Sequence, residues 1–200
     1  MTISAEPGTM VHMSKQLHPY VDIGSVGQGF KRCCCAGESC CRLNFSNKTQ
    51  EKQVLALTGN LPGRVVPINL ADYPHGFFFR AKAFLAAVGT DWRIDLEITK
   101  FSVGCFGGFG FVLNKITGSG WGFLNAGGTV MQKLLKEGEV IVVDQKSVVG
   151  FESTVKFEVQ FVTSLGVVCC GGMGIANAKF TGPGLVFMES MGPMKLAQNL

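Results

Sequence analysis

Three cysteines share one position in an internal repeat, which makes their thiols the most reactive groups that the chain repeats. Cys34, Cys105 and Cys169 coincide when three stretches are aligned without a gap, namely Phe30–Asn47, Phe101–Gly118 and Leu165–Gly182. Three thiolates gathered around a threefold axis could hold a soft ion such as zinc. However, the chain has no Cys-x-x-Cys pair, and its three histidines (His12, His18 and His75) lie outside the repeat. We therefore expect these cysteines to fill apolar positions and the protein to need no cofactor, with zinc binding as the alternative.

Other groups with chemical potential are less specific. The run Lys31–Cys35 sets two basic residues beside three cysteines, a pattern that also fits S-acylation. The glycines of Gly104–Gly110 and Gly118–Gly120 lack the Lys-Ser/Thr and the helix of a phosphate loop, so they indicate turns that need positive φ. The acidic residues Glu137, Glu139 and Asp144 are expected on a solvated face. Since no Ser/His/acid or Cys/His arrangement is present, we expect the protein not to be an enzyme.

The strongest functional candidate is an apolar surface. Apolar loops at Phe30–Cys41, Phe101–Phe111 and Leu165–Ile175 occupy the same place in the three repeat copies. If the copies share an axis, these segments meet at one end of the molecule. They would present six large apolar side chains there: Phe101, Phe106, Phe109, Phe111, Met173 and Ile175. Such a patch predicts contact with a protein partner, a second copy or a membrane surface, unless the segments only cover the end of the core.

The elements that carry these segments read as β-strands. Apolar and polar residues alternate in Trp92–Ile98 and in Val155–Phe161, which predicts two half-buried strands. Thr129–Leu135 is also predicted as a strand, and Pro193–Leu200 as a short helix or a frayed tail. With 27 glycines and 16 phenylalanines, the composition favours an all-β fold.

The repeat predicts one all-β domain over residues 1–200, built from three β-modules around a pseudo-threefold axis. The modules are expected at about 30–100, 101–164 and 165–200, and the third is cut short by the end of the chain. We expect the N-terminal hairpin at 9–29, formed by Met10–Ser14 and Tyr20–Ile23, to complete the third module.

Five motifs resemble one family, in that family's order: GESCCRLNFSN, LPGRVVPINL, GSGWGFLNAGG, LLKEGEVIVVD and FTGPGLVFMES. This is the altered-inheritance-of-mitochondria protein 24 family, with its bacterial and archaeal relatives of unknown function. The resemblance runs from about Gly8 to Met191. It implies a double-stranded β-helix-like fold similar to the tryptophan RNA-binding attenuation protein, and a link to mitochondrial organisation. It supplies no catalytic residues.

Net charge and composition limit the classes of partner that we expect. The net charge is +4, and only 16% of the residues are charged, against about 25% in ordinary domains. Because the basic residues form no stripe, we expect no nucleic-acid partner. The first fifteen residues lack the features of a leader, which predicts a cytoplasmic location, while the resemblance implies association with mitochondria. We therefore expect a structural or interaction protein that acts through its apolar loops, in membrane or mitochondrial organisation. The alternative is a module that binds a small ligand or a metal at the axis or between modules.

Overall fold

The computed structural model describes residues 1–22, 41–89, 91–98, 112–162 and 176–198. Within these ranges the chain forms antiparallel strands, two single-turn 3-10 helices and one short α-helix. The prediction of an all-β fold is confirmed.

The strands form three consecutive units along the chain. The first unit contains β1 (Thr2–Ala5), β2 (Met10–Met13), β3 (Leu17–Asp22), β4 (Arg42–Asn47), β5 (Leu55–Leu57) and β6 (Gly63–Asn69). The second contains β7 (Phe77–Arg80), β8 (Phe84–Val88), β9 (Trp92–Ile98), β10 (Val112–Gly118), β11 (Trp121–Gly127) and β12 (Val130–Leu135). The third contains β13 (Val140–Asp144), β14 (Val148–Glu152), β15 (Lys156–Phe161), β16 (Ala176–Thr181), β17 (Gly184–Glu189) and the helix α1 (Pro193–Gln198). The 3-10 helices cover Leu70–Asp72 and Gln145–Ser147.

Two six-stranded sheets each combine strands of neighbouring units. Their orders are β3-β4-β1-β8-β11-β6 and β9-β10-β7-β14-β17-β12, so the strand numbers differ by six at every position. The remaining described strands form the sheets β15-β16-β13 and β2-β5. Read together, they follow the same order as the two larger sheets, β15-β16-β13 and then β2-β5. In this third sheet β13 and β2 are not paired with each other.

The strand register agrees with the sequence repeat. Phe45 in β4, Ile116 in β10 and Phe180 in β16 coincide in the repeat, and all three are buried. They pair with Ile3, Phe77 and Ile141, which lie in β1, β7 and β13. The same pairing therefore recurs in the three units, while the threefold axis that would relate them stays a prediction.

Predicted strands and turns are found where the local pattern indicates them. β9 covers the alternating segment Trp92–Ile98, and β12 and β15 lie within the other two predicted strands. β9 is an edge strand with one solvent-facing side, which is why its charged residues alternate with apolar ones. Gly120, in the turn after β10, has a φ of +103°, and a β-carbon there would lie 2.2 Å from the carbonyl oxygen of Val88. Positive φ and close packing both require glycine at this turn.

The predicted N-terminal hairpin is wrong within the described residues. β2 pairs with β5 and β3 pairs with β4, so neither strand pairs with the third unit. The reason is that β3 and β4 are the two arms of a hairpin in the first unit, equivalent to β9 with β10. Pro19 lies inside β3, where an edge position tolerates the missing N–H.

The main core is shared by all three units. It contains Ile68 of β6, Phe77 and Phe79 of β7, Leu124 of β11 and Phe187 of β17. Because neighbouring units contribute strands to one sheet and side chains to one core, they pack as a single body rather than as three separate domains.

Candidate interaction surface

The three apolar segments lie between the arms of equivalent hairpins. Antiparallel pairs join β3 to β4, β9 to β10 and β15 to β16. The pairs that flank the segments are Asp22 with Arg42, Ile98 with Val112, and Phe161 with Ala176. The described residues on either side of each segment therefore lie at the corresponding end of its hairpin.

The candidate residues themselves fall in these segments and lie outside the described residues. They are the surface candidates Phe101, Phe106, Phe109, Phe111, Met173 and Ile175, and the cysteines Cys34, Cys105 and Cys169. Cys41 is the cysteine that the described ranges include, and it is half-buried. Within those ranges no group of three or more His, Cys, Asp or Glu side chains could hold a metal ion. Both the expectation that the three cysteines fill apolar positions and the alternative of a zinc site therefore stay predictions.

Large apolar side chains are exposed on described strands that lead into two of the segments. Tyr20 and Val21, near the end of β3, are exposed, and so is Phe161 at the end of β15. Large apolar side chains therefore reach solvent on the strands that lead into two of the three segments.

A cationic side chain anchors the first hairpin at the end that leads into its connecting segment. The guanidinium carbon of Arg42 lies 4.6 Å from the ring centre of Phe84 and 5.2 Å from that of Trp92. These rings belong to β8 and β9 of the second unit, so the contact ties the first hairpin to its neighbour. Such cation–π contacts contribute about 0.5–2 kcal/mol each.

An ion-pair network stabilises the third hairpin. Glu158 of β15 accepts hydrogen bonds from Lys156, 3.0 Å away, and from Lys179 of β16, 3.3 Å away. These bonds, that of Lys156 first, hold the pKa of the Glu158 carboxyl below its ordinary value. The charges lie on the strands, whereas the segment between them is apolar.

Two carboxylates of the predicted acidic group form ion pairs with lysines. Glu139 contacts Lys133 at 2.7 Å and accepts the backbone N–H of Lys136, and these two hydrogen bonds lower the pKa of its carboxyl. Asp144 lies 3.4 Å from Lys195 and caps the 3-10 helix that follows it. Glu139 and Asp144 thus each have their own structural partners.

The structure contains a buried ion pair, Arg80 with Glu189, that the sequence did not indicate. Arg80 in β7 donates to both carboxylate oxygens of Glu189 in β17, from Nε at 2.9 Å and from Nη2 at 3.1 Å. The backbone N–H of Gly127 donates to the same carboxylate at 2.6 Å. The Glu189 side chain is 0% exposed and that of Arg80 is 14% exposed. With three donors and no access to solvent, this carboxylate joins β17 to β7 and β11.

A solved structure of another protein has a fold similar to that of this chain. A protein from Streptococcus pyogenes solved by X-ray crystallography is similar over 100% of this chain and 88% of its own, with a TM-score of 0.76 and 21% identity. At that identity the likeness concerns the fold alone. No curated protein matches the chain. No helix among the described residues is long and apolar enough to cross a membrane.

The family follows from a match along nearly the whole sequence. The model of the mitochondrial biogenesis AIM24 family matches residues 1–191, the region that contains all five motifs of the predicted resemblance. The prediction of the family is thereby confirmed, and the chain belongs to the mitochondrial biogenesis AIM24 family.

Proposed function

We propose that this protein is a non-catalytic structural or interaction protein that works through the apolar end formed by the segments at 30–41, 101–111 and 165–175. The observation that carries the proposal is the equivalent position of these segments between the arms of β3·β4, β9·β10 and β15·β16. We infer that its function lies in membrane or mitochondrial organisation, and the description of the family as one of mitochondrial biogenesis supports the mitochondrial part.

A membrane surface is the contact that the residue types favour. Phenylalanines at loop tips can insert into the interfacial region of a bilayer, where burying one such side chain contributes about 1.5–3 kcal/mol. Lys31 and Arg32 lie in the first segment, where cations would attract anionic lipid headgroups. The exposed Val21 and Phe161 would extend the inserted area.

Vesicle sedimentation tests this proposal. The protein is expected to pellet with phosphatidylcholine vesicles, and more strongly when they contain phosphatidylglycerol. In the variant Phe106→Ser/Phe109→Ser the partition coefficient should fall at least tenfold, because about 1.4 kcal/mol already corresponds to that factor. The control is Leu134→Ser, which removes an exposed apolar side chain from the edge strand β12.

Two results would contradict the proposal. One is a protein that stays in the supernatant with both vesicle compositions. The other is a loop variant that pellets as well as the wild type. If the apolar end instead binds a protein, affinity capture will depend on Phe106 and Phe109 while sedimentation does not.

A further inference from the structure

Among the described strands, β13 and β2 each have one unpaired edge, at the position where the two six-stranded sheets are continuous. In the two six-stranded sheets, β1 pairs with β8 and β7 pairs with β14, which joins each unit to the next. The next pair in this series is β13 with β2. In the part of the chain that the structure describes, β13 has only β16 beside it and β2 has only β5.

Burial shows that β2 lacks a neighbour which its equivalents have. Each of β2, β8 and β14 carries one residue at an irregularity in its pairing, and these residues are Val11, Leu85 and Val149. Leu85 is 3% exposed and Val149 is 0% exposed, because a neighbouring unit covers each of them. Val11 is 59% exposed. The same position is therefore core at two junctions and open surface at the third.

The two unpaired edges also lack the protection that permanent edges carry. Natural edge strands avoid association by means of charged residues or proline. Accordingly β9 contains Arg93, Asp95 and Glu97, while β3 and β6 contain Pro19 and Pro67. By contrast, Met10–Met13 has no Lys, Arg, Asp or Glu, and Val140–Val143 of β13 is entirely apolar. These sequences suit strands that are paired in the working protein.

We propose that β13 of one copy of this chain pairs antiparallel with β2 of a second copy. The internal junctions give the register, since Ser4 pairs with Ala87 and Phe78 pairs with Phe151. The equivalent contact sets Val142 of one copy opposite Met13 of the next. The second copy is the partner because, among the described residues, the edges of β2 and β13 are not hydrogen-bonded to each other within one chain, and valines on both strands are exposed.

The contact joins two different surfaces, so each chain offers one β13 edge and one β2 edge. An interface of this head-to-tail kind closes into a ring of copies or continues as a filament. It involves strands rather than the three apolar segments, and it does not depend on the proposed function.

Light scattering coupled to gel filtration tests the interface. The wild type is expected at a multiple of its 21.4 kDa chain mass. Val11→Lys and Val142→Lys, each alone, should reduce the mass to one chain, because a lysine in either edge disrupts every junction. The matched control is Val65→Lys, which alters an exposed valine on β6, an edge strand in a complete sheet. This variant should keep the mass of the wild type.

Mixing gives a second, independent measurement. The Val11→Lys chain retains an intact β13 edge, and the Val142→Lys chain retains an intact β2 edge. An equal mixture should therefore yield a species of two chains, although neither variant associates alone. Far-UV circular dichroism of each variant establishes that it is folded.

Several outcomes would overturn the inference. A wild type that runs as one chain at micromolar concentration would do so. So would an oligomer that persists in both edge variants but dissociates in Phe106→Ser/Phe109→Ser, because the apolar segments would then form the interface. A mixture that stays at one chain would also exclude the head-to-tail contact.

Discussion

Glu189 is a fully buried carboxylate that depends on Arg80 and on the backbone of Gly127 for its hydrogen bonds. Breaking a buried pair leaves the other charge without compensation, which destabilises a protein by about 3–5 kcal/mol. We therefore expect Glu189→Gln, which keeps the side-chain volume, to lower the free energy of unfolding by roughly 3 kcal/mol. Urea denaturation of wild type and variant measures the difference.

The matched control is Glu139→Gln, the same change in an exposed pair with Lys133. Exposed ion pairs contribute little, so its unfolding midpoint should stay at that of the wild type. Equal effects of the two substitutions would contradict the structural importance of the Arg80–Glu189 pair.

The pairing of Arg80 with Glu189 could not be predicted from the sequence. Arg80 and Glu189 are 109 positions apart, and neither lies in a local pattern that indicates a partner. Only the path of β7 and β17 through the sheet brings them together. The role of Gly120 was predictable, because it depends on the turn immediately around it.

At the level of elements, Glu158 links both arms of the hairpin β15·β16. Its pKa is lowered by hydrogen bonds from Lys156 and Lys179. A carboxyl group whose folded pKa lies below its unfolded value stabilises the protein above the unfolded pKa, and this contribution is lost as the pH falls through the folded pKa. The hairpin should thus weaken in acid, at pH values below the ordinary Glu pKa of 4.5.

Removing one donor should reverse part of this effect. In Lys179→Gln we expect the pKa of Glu158 to rise toward 4.5, as measured by an NMR pH titration of the carboxyl carbon. Lys195→Gln is the control, because Lys195 pairs with Asp144 instead. A pKa of Glu158 that is the same in Lys179→Gln and in the wild type would exclude the proposed cause.

Elements were predictable when their own residues show a pattern. β9 and β15 alternate because one side of each faces solvent. The strands of Met10–Ser14 and Tyr20–Ile23 were located nearly correctly, but their partners were wrong. Strand pairing depends on residues far away in the sequence, and β2 has the same local character whichever strand lies beside it.

For the whole molecule, the exchange of strands between units predicts cooperative stability. Two strands of the first unit pair with strands of the second unit: β6 pairs with β11, and β1 pairs with β8. A fragment of residues 1–72 lacks both partners. We expect it to be unfolded, with a disordered far-UV circular dichroism spectrum and narrow amide dispersion, whereas the intact chain unfolds in one transition. A fragment that unfolds cooperatively would show that the first unit is an independent domain.

The class of fold and the recurrence of its units could be anticipated from composition and from the aligned repeat. The exchange of strands between units could not, because an internal repeat has the same sequence signature whether each copy folds on itself or on its neighbour. The candidate surface was proposed from the same alignment and stays a prediction, and the structure adds the hairpins that flank its segments.

The pairing of β6 with β11 also affects how the chain emerges from the ribosome. Val66 and its partner Leu124 are separated by two further strand pairs in the sequence, and β6 is complete before any part of β11 has been made. At a synthesis rate of ~5–20 residues per second, this apolar strand waits several seconds for its partner. During that interval its backbone edge is open to other nascent chains. A chaperone that holds unfolded segments would therefore be needed most early in translation, before the second unit is available.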